Sequence, residues 1–401
     1  MLSLSPVSHA SVLVETTIGR TPVSDQSASG QQQAIRKAME NALVKLTGKS
    51  DVADYQGVGA IVKSADRYLR SYSFDAVDNQ LFYTAEFDQT MLESDVAALG
   101  LPIWGKRRPD SVLWFAFEDE NDERTVLGES SASEYKDRLV AAAYDRGMPL
   151  SLPLLDLTDT LQVSIYDVWG LFSTSLESAS ERYGVDYVLG ARLYKNSAST
   201  LALPQTPQTS YALPKVTLPA FAYGDMASVD YHIEMALGSS EESGPSFTQS
   251  EFNALSKRVR QGRFSLDWLI DRDGEVSRGT LFGDDTGSLI AKFIDAVADD
   301  LGNAYAILPS SIEGEGKTVT MVVNNLDSYK KYIDVQAYIN SLSVVDSAAL
   351  TRQYGATSEF TLSLLGTAAD LNNVLRLESR LRPQTDTFGQ PLEGFQFSWR
   401  D

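Results

Sequence analysis

Trp104, Lys106, Arg107 and Arg108 form a local basic and aromatic cluster in a chain of formal net charge −20. A guanidinium offers a planar fork of donors that matches a carboxylate or a phosphate, so the cluster has the chemistry to receive an anionic group of a partner. It has equally the chemistry to pin two domains together by pairing with acids of the next one. The second reading is favoured, because Pro102 and Pro109 stiffen the segment as a connector. A second group is Asp167-Val168-Trp169-Gly170. Asp167 stands three residues after Ser164 and predicts a capping box, and Trp169 is expected in a core with its indole N–H partnered. Tyr211 and Phe221 stand in an apolar, proline-rich stretch, too apolar for a mere spacer. With the first two groups they make up the candidate interaction surface.

No catalytic, cofactor-binding or metal-ligating residue is assigned. Cysteine is absent from the sequence, which removes disulfides, thiol catalysis and cysteine-ligated zinc. His9 and His232 are the only histidines, so a histidine metal cluster or triad would rest on few imidazoles. Residues 314–318, GEGKT, imitate the tail of a phosphate loop but precede an expected strand where a helix is required, and Gly48-Lys49-Ser50 stands at a helix end. Asp271, Asp273 and Glu275 are spaced like calcium ligands, yet Gly274 and Arg278 fit a hairpin turn instead. The acidic run 118–123 reads as a solvated loop. Carboxylates abound, 54 in all, which leaves a carboxylate-based hydrolase or transferase as the alternative function.

The elements that must position these residues fall into three blocks. Residues 11–18 alternate as a strand, 22–25 give a turn, Ile35, Met39, Ala42, Leu43 and Leu46 recur at helical spacing, and Gly48 follows as a stop. A helix over 58–68, a hairpin about Asp78-Asn79 and a helix over 90–99 complete an α+β module at 11–100. Residues 111–117 are nearly unbroken apolar and predict a strand buried on both faces. A helix at 133–146, an extended return at 149–155, a helix at 165–183 and a strand at 185–194 then describe an open α/β sheet. Proline-rich residues 196–262 interrupt it, with one strand at 229–237 inside. The segment 196–224 is expected to shield the middle sheet. Two strands turning at 271–274 and a helix from Asp285 extend the middle block, 101–311. After a linker at 312–316, strand, helix from Asp327, hairpin about Gly355, helix over 368–381 and strand 395–399 give β-α-β-β-α-β, a ferredoxin-like module at 317–401.

Acidity excludes a sequence-independent grip on nucleic acid, and no apolar run is long enough for a membrane span. Ser8-His9-Ala10 resembles a signal-peptidase site, so residues 1–10 read as a truncated signal-peptide remnant.

The phrases GLPIWGKRRP, LPLLDLTD, DVWG and SERYGVDYVLGARLY, with the closing β-α-β-β-α-β block, resemble the bacterial domain-of-unknown-function family DUF2066 over 12–399. The family's members usually carry a signal peptide, which implies export; no activity or ligand is established for it. More distantly, the first block resembles the N-terminal modules of flagellar-assembly and small outer-membrane lipoproteins, and the middle block that of TolB-type envelope proteins. The resulting expectation is a non-enzymatic periplasmic binding or adaptor protein of the cell envelope, taking a protein or envelope component. A cytoplasmic scaffold is the other alternative.

Overall fold

A computed structural model describes residues 12–77, 80–119, 121–196, 262–272, 274–308, 318–377, 380–386 and 390–400. The chain is a mixed α and β protein, as the patterning predicts, and its described residues form four sheets. Candidate residues Tyr211 and Phe221, and the strand expected at 229–237, lie outside the described residues, as does the linker.

In the first block, β1 (Val12–Leu13) lies outside the block's own sheet and β2 (Ile18–Val23) is the working strand. The strand expected over 11–18 is therefore displaced, and Pro22 is tolerated because β2 is an edge that needs no further ladder N–H. Helix α1 (Ala28–Thr47) starts where the Ser27 side chain accepts from the Gly30 N–H and stops at Gly48, φ 72°. After α2 (Val58–Lys63), strands β3 (Leu69–Val77) and β4 (Gln80–Phe87) complete an antiparallel sheet in the order β2-β4-β3, and α3 (Gln89–Ala98) follows. Tyr83, Ala85 and Phe87 bury against the apolar stripe of α1.

The connector holds β5 (Arg107–Arg108), which pairs with β1. Strand β6 (Ser111–Glu118) is buried on both faces, as expected. Leu113 and Phe115 face one core and Val112, Trp114 and Ala116 the other. Beyond β7 (Arg124–Leu127) come α4 (Glu134–Arg146), α5 (Leu157–Gln162), α6 (Ile165–Gly170), α7 (Ser173–Ser180) and β8 (Tyr187–Lys195). Two expectations fail here. Residues 149–155 give no strand, only one bridge from Ser151 to Val112. The helix expected over 165–183 is broken by Leu171 in the left-handed region, φ 51°, held there by burial of its side chain. Strands β9 (Phe264–Arg272) and β10 (Glu275–Gly283) add the expected meander, giving β10-β9-β8-β6-β7 with β6 and β8 the parallel pair. Helix α8 (Thr286–Tyr305), capped by Asp285, lies with α4 on the Leu113 side.

The last block runs β11 (Thr318–Asn324), α9 (Tyr329–Asn340), β12 (Val345–Tyr354), β13 (Thr357–Leu364), α10 (Ala368–Arg376), β14 (Leu381–Pro383) and β15 (Phe395–Trp399). Ser328, not Asp327, caps α9; Asp327 pairs with Lys331 instead. The helix expected to reach 381 ends at Arg376, and the strand after it is β14. The sheet order is β12-β13-β11-β15-β14, with β15 parallel to β11 and antiparallel to β14. The ferredoxin-like set is thus β11 to β14, and β15 is an extra strand wedged between the first and the fourth. Among the described residues no helix is long and apolar enough to cross a membrane.

Candidate functional site

The C-terminal end of α1 leaves carbonyls that the helix itself cannot satisfy. Here they are met from three directions. Gly48 N–H donates to Val44 O at 2.9 Å, Arg108 Nη2 to Lys45 O at 2.7 Å, Trp104 N–H to Leu46 O at 2.7 Å, and Arg146 Nη2 to Gly48 O at 2.9 Å. Two guanidiniums at the negative end of a helix dipole are favourably placed. Arg108 is fully buried, its Cζ 3.5 Å from the centre of the Trp104 ring, and a second bond runs from Nη2 to Trp104 O. Burial, with Arg146 close by, pushes the Arg108 pKa down.

The cluster therefore does pin two blocks together, but through carbonyls rather than the acids expected of Arg108. The acids go to Arg146, which sequence reasoning missed: it binds Asp295 at 2.9 Å and Asp299 at 2.6 Å on α8, and Asp299 also receives the Ser50 hydroxyl and N–H. Its only signal was a basic residue in the last turn before Gly147.

This latch orients the other half of the cluster outward. Lys106 pairs with Glu15 at 3.3 Å, and the Arg107 guanidinium lies 5.1 Å from the Tyr338 ring centre on α9. Beside them opens a cavity of about 430 Å³ with walls from every block: Leu13 and Glu93 from the first, Arg107 from the connector, Ile307 after α8, Ser341 and Val345 from the last. A Cβ on Gly105 would stand 2.5 Å from the Ser343 side chain, so glycine is what lets the connector approach the last block. A second cavity of about 390 Å³ shares Leu13, Arg107 and Ser341 and adds Asp334 and Arg380. Arg380 reaches within 5.9 Å of both the Tyr338 and Trp399 ring centres. Arg380 was hidden from sequence reading, because it was placed inside a helix that ends earlier.

Asp167 and Trp169 lie elsewhere. Trp104 packs into the core on the Leu113 side of the middle sheet and Trp169 against the core on the Trp114 side, so the expected single surface is divided by that sheet. Asp167 is spent on the capping box with Ser164, whose hydroxyl and N–H hold its pKa below the usual carboxylate value. Trp169 is half-buried under the Arg124 guanidinium at 4.2 Å, and its carbonyl accepts from Arg192 at 2.6 Å. Arg192 forks onto Asp267, which also accepts from Tyr194 and Thr280. Asp159, fully buried, is likewise engaged by Arg182 and Tyr183. Among the described residues no group of three His, Cys, Asp or Glu is placed to hold a metal. Asp271 accepts from the Gly274 N–H as a hairpin turn does, with Asp273 outside the described residues.

Residues 315–386 match the DUF2066 family model. That span holds β11 through β14, the ferredoxin-like set without the wedged β15. It is shorter than the 12–399 over which the resemblance was drawn. A further domain of unknown function, DUF8605, matches residues 17–105, from the first sheet to the threshold of the basic cluster. No curated protein and no solved structure matches the chain.

Proposed function

We propose that the chain is a non-enzymatic binding or adaptor protein of the bacterial cell envelope, acting in the periplasm, with its partner seated in the paired cavities around Arg107. One observation carries the reading: the DUF2066 segment, the DUF8605 segment and the block between them each supply walls to the same groove, and the Arg108–Trp104 latch fixes the connector at its centre. A rigid scaffold holding convergent polar groups over an apolar floor is the usual form of a recognition site. Arg107 and Arg380 flank Tyr338 there and suit an acidic group on a protein or envelope component.

A photo-crosslinking residue placed at Ser341 and expressed in cells is expected to give a discrete adduct in the periplasmic fraction, lost in Arg107→Glu/Arg380→Glu. The same probe at exposed Tyr354 serves as control. Adducts equal at both positions, or untouched by the charge reversal, would overturn the site. Protein confined to the cytoplasm would overturn the location.

A further inference from the structure

Strand β3 is an edge of the first sheet, and beyond a register shift at its start residues 71–77 pair regularly with β4. Seven of its nine residues are exposed, and its outer row of N–H and C=O groups has no strand partner among the described residues. Such a row is a template for another strand unless the sequence blunts it. Other long edges are blunted: β2 carries Pro22, β12 is broken by two register shifts, and β10 holds Gly279. Past Ser71, β3 contains no proline, no glycine and no bulge. It also carries apolar surface. Tyr72, half exposed, stacks on Tyr83 with ring centres 5.5 Å apart, and Phe74 meets the same ring edge-on at 5.3 Å. Phe74 lies opposite Tyr83 in register, so these rings share the α1 side of the sheet.

Geometry restricts what can pair there. Ladder groups point outward at alternate residues, so two copies related by a two-fold axis through the sheet match residues whose numbers sum to an even value. About Ser73 the pairs are Ser73 with itself, Tyr72 with Phe74, and Ser71 with Asp75. That register makes two cross-strand aromatic pairs on one face and sets no like charges opposite each other. Arg70 and Asp75 are the only charged residues of the strand, so it is locally neutral in a chain of −20. We propose that β3 is a self-association edge, where a second copy of this chain pairs antiparallel about Ser73 and joins two three-stranded sheets into one of six. A single strand edge is a small contact, which makes the dimer weak and concentration-dependent.

Sedimentation of the full chain over a concentration series tests this. A reversible monomer–dimer equilibrium in the micromolar range is expected, and it should tighten as salt rises, because screening weakens the repulsion between two acidic chains. Ser73→Lys sets like charges across the axis and should weaken the dimer about fivefold, as should Ser73→Glu. Mixing the two variants should restore it, which a folding defect could not do. The sequence holds no cysteine, so Ser73→Cys gives one thiol per chain. On mild oxidation it should form an interchain disulfide much faster than Ser71→Cys, whose partner thiol would lie four residues along the strand, about 13 Å away and beyond disulfide reach. A chain that stays monomeric up to about 0.5 mM would overturn the second copy as occupant. Equal crosslinking at both positions, or no recovery on mixing, would overturn the edge and its register.

Discussion

Two buried cations at the end of α1 show how differently one charge type is used. Arg108 is surrounded by carbonyls and a ring, Lys45 by apolar walls, and neither has a carboxylate partner among the described residues. The location of the basic cluster was legible in the sequence, since its residues are adjacent. Its partners were not, because carbonyls freed by a helix end leave no mark on residue identity. Lys45 did leave one: a lysine beside Ile35, Met39, Ala42 and Leu46 on the apolar stripe. Its energetic consequence has a definite sign. Lys45 titrates at about 8 in the folded chain against 10.5 ordinarily. Below 8 both states hold the proton and the cost of the buried charge is fully present, on the order of 3 kcal/mol. Between the two values the unfolded chain binds more protons, so stability rises with pH. Lys45→Met is therefore expected to stabilise most at pH 7 and by less than about half as much at pH 9.5. Urea unfolding of both chains at the two pH values measures it; an equal difference at both would count against the buried-charge account.

Elements with a clean period were readable, and those ended by tertiary contact were not. The stripe of α8 and the two-sided burial of β6 follow from local pattern alone. The break at Leu171 and the stop at Arg376 do not, since a left-handed leucine and a three-residue edge strand are imposed by neighbours. Between α1 and α8 the decisive contact is backbone on backbone. A Cβ on Gly302 would stand 2.8 Å from Gly48 O, the carbonyl that Arg146 binds. Gly302→Ala is expected to cost about 2 kcal/mol by forcing the two helices apart, despite alanine's better helix propensity. A melting temperature equal to or above that of the parent would show that the crossing has room to yield.

At the scale of the whole molecule the boundaries are less clean than the sequence suggests, because cores exchange residues across them. Leu101 belongs to the first core, Trp104 to the middle one, and Ile307, just after α8, is buried in the last. Ile307 also bridges to Ile103, tying the cores of the first and last blocks through one backbone bond in each direction. A module cut at 313, where the linker was read, exposes the hollow that Ile307 fills. A fragment 303–401 is expected to be more stable than 313–401 by about 2 kcal/mol, the burial of one isoleucine. Chemical denaturation of the two fragments decides it, and equal midpoints would place the boundary at the linker after all.

The wedged strand of the last block also sets an order in time. Among the described residues strand β14 pairs only with β15, and β15 comes after it in the chain. As the polypeptide leaves the ribosome, β11, β12 and β13 can close on one another, while β14 waits unpaired until residues 395–399 emerge. A module folded in chain order would hold a three-stranded stage with the edge of β11 open until β15 arrives. That edge, absent from the finished fold, is what a chaperone acting during synthesis would meet.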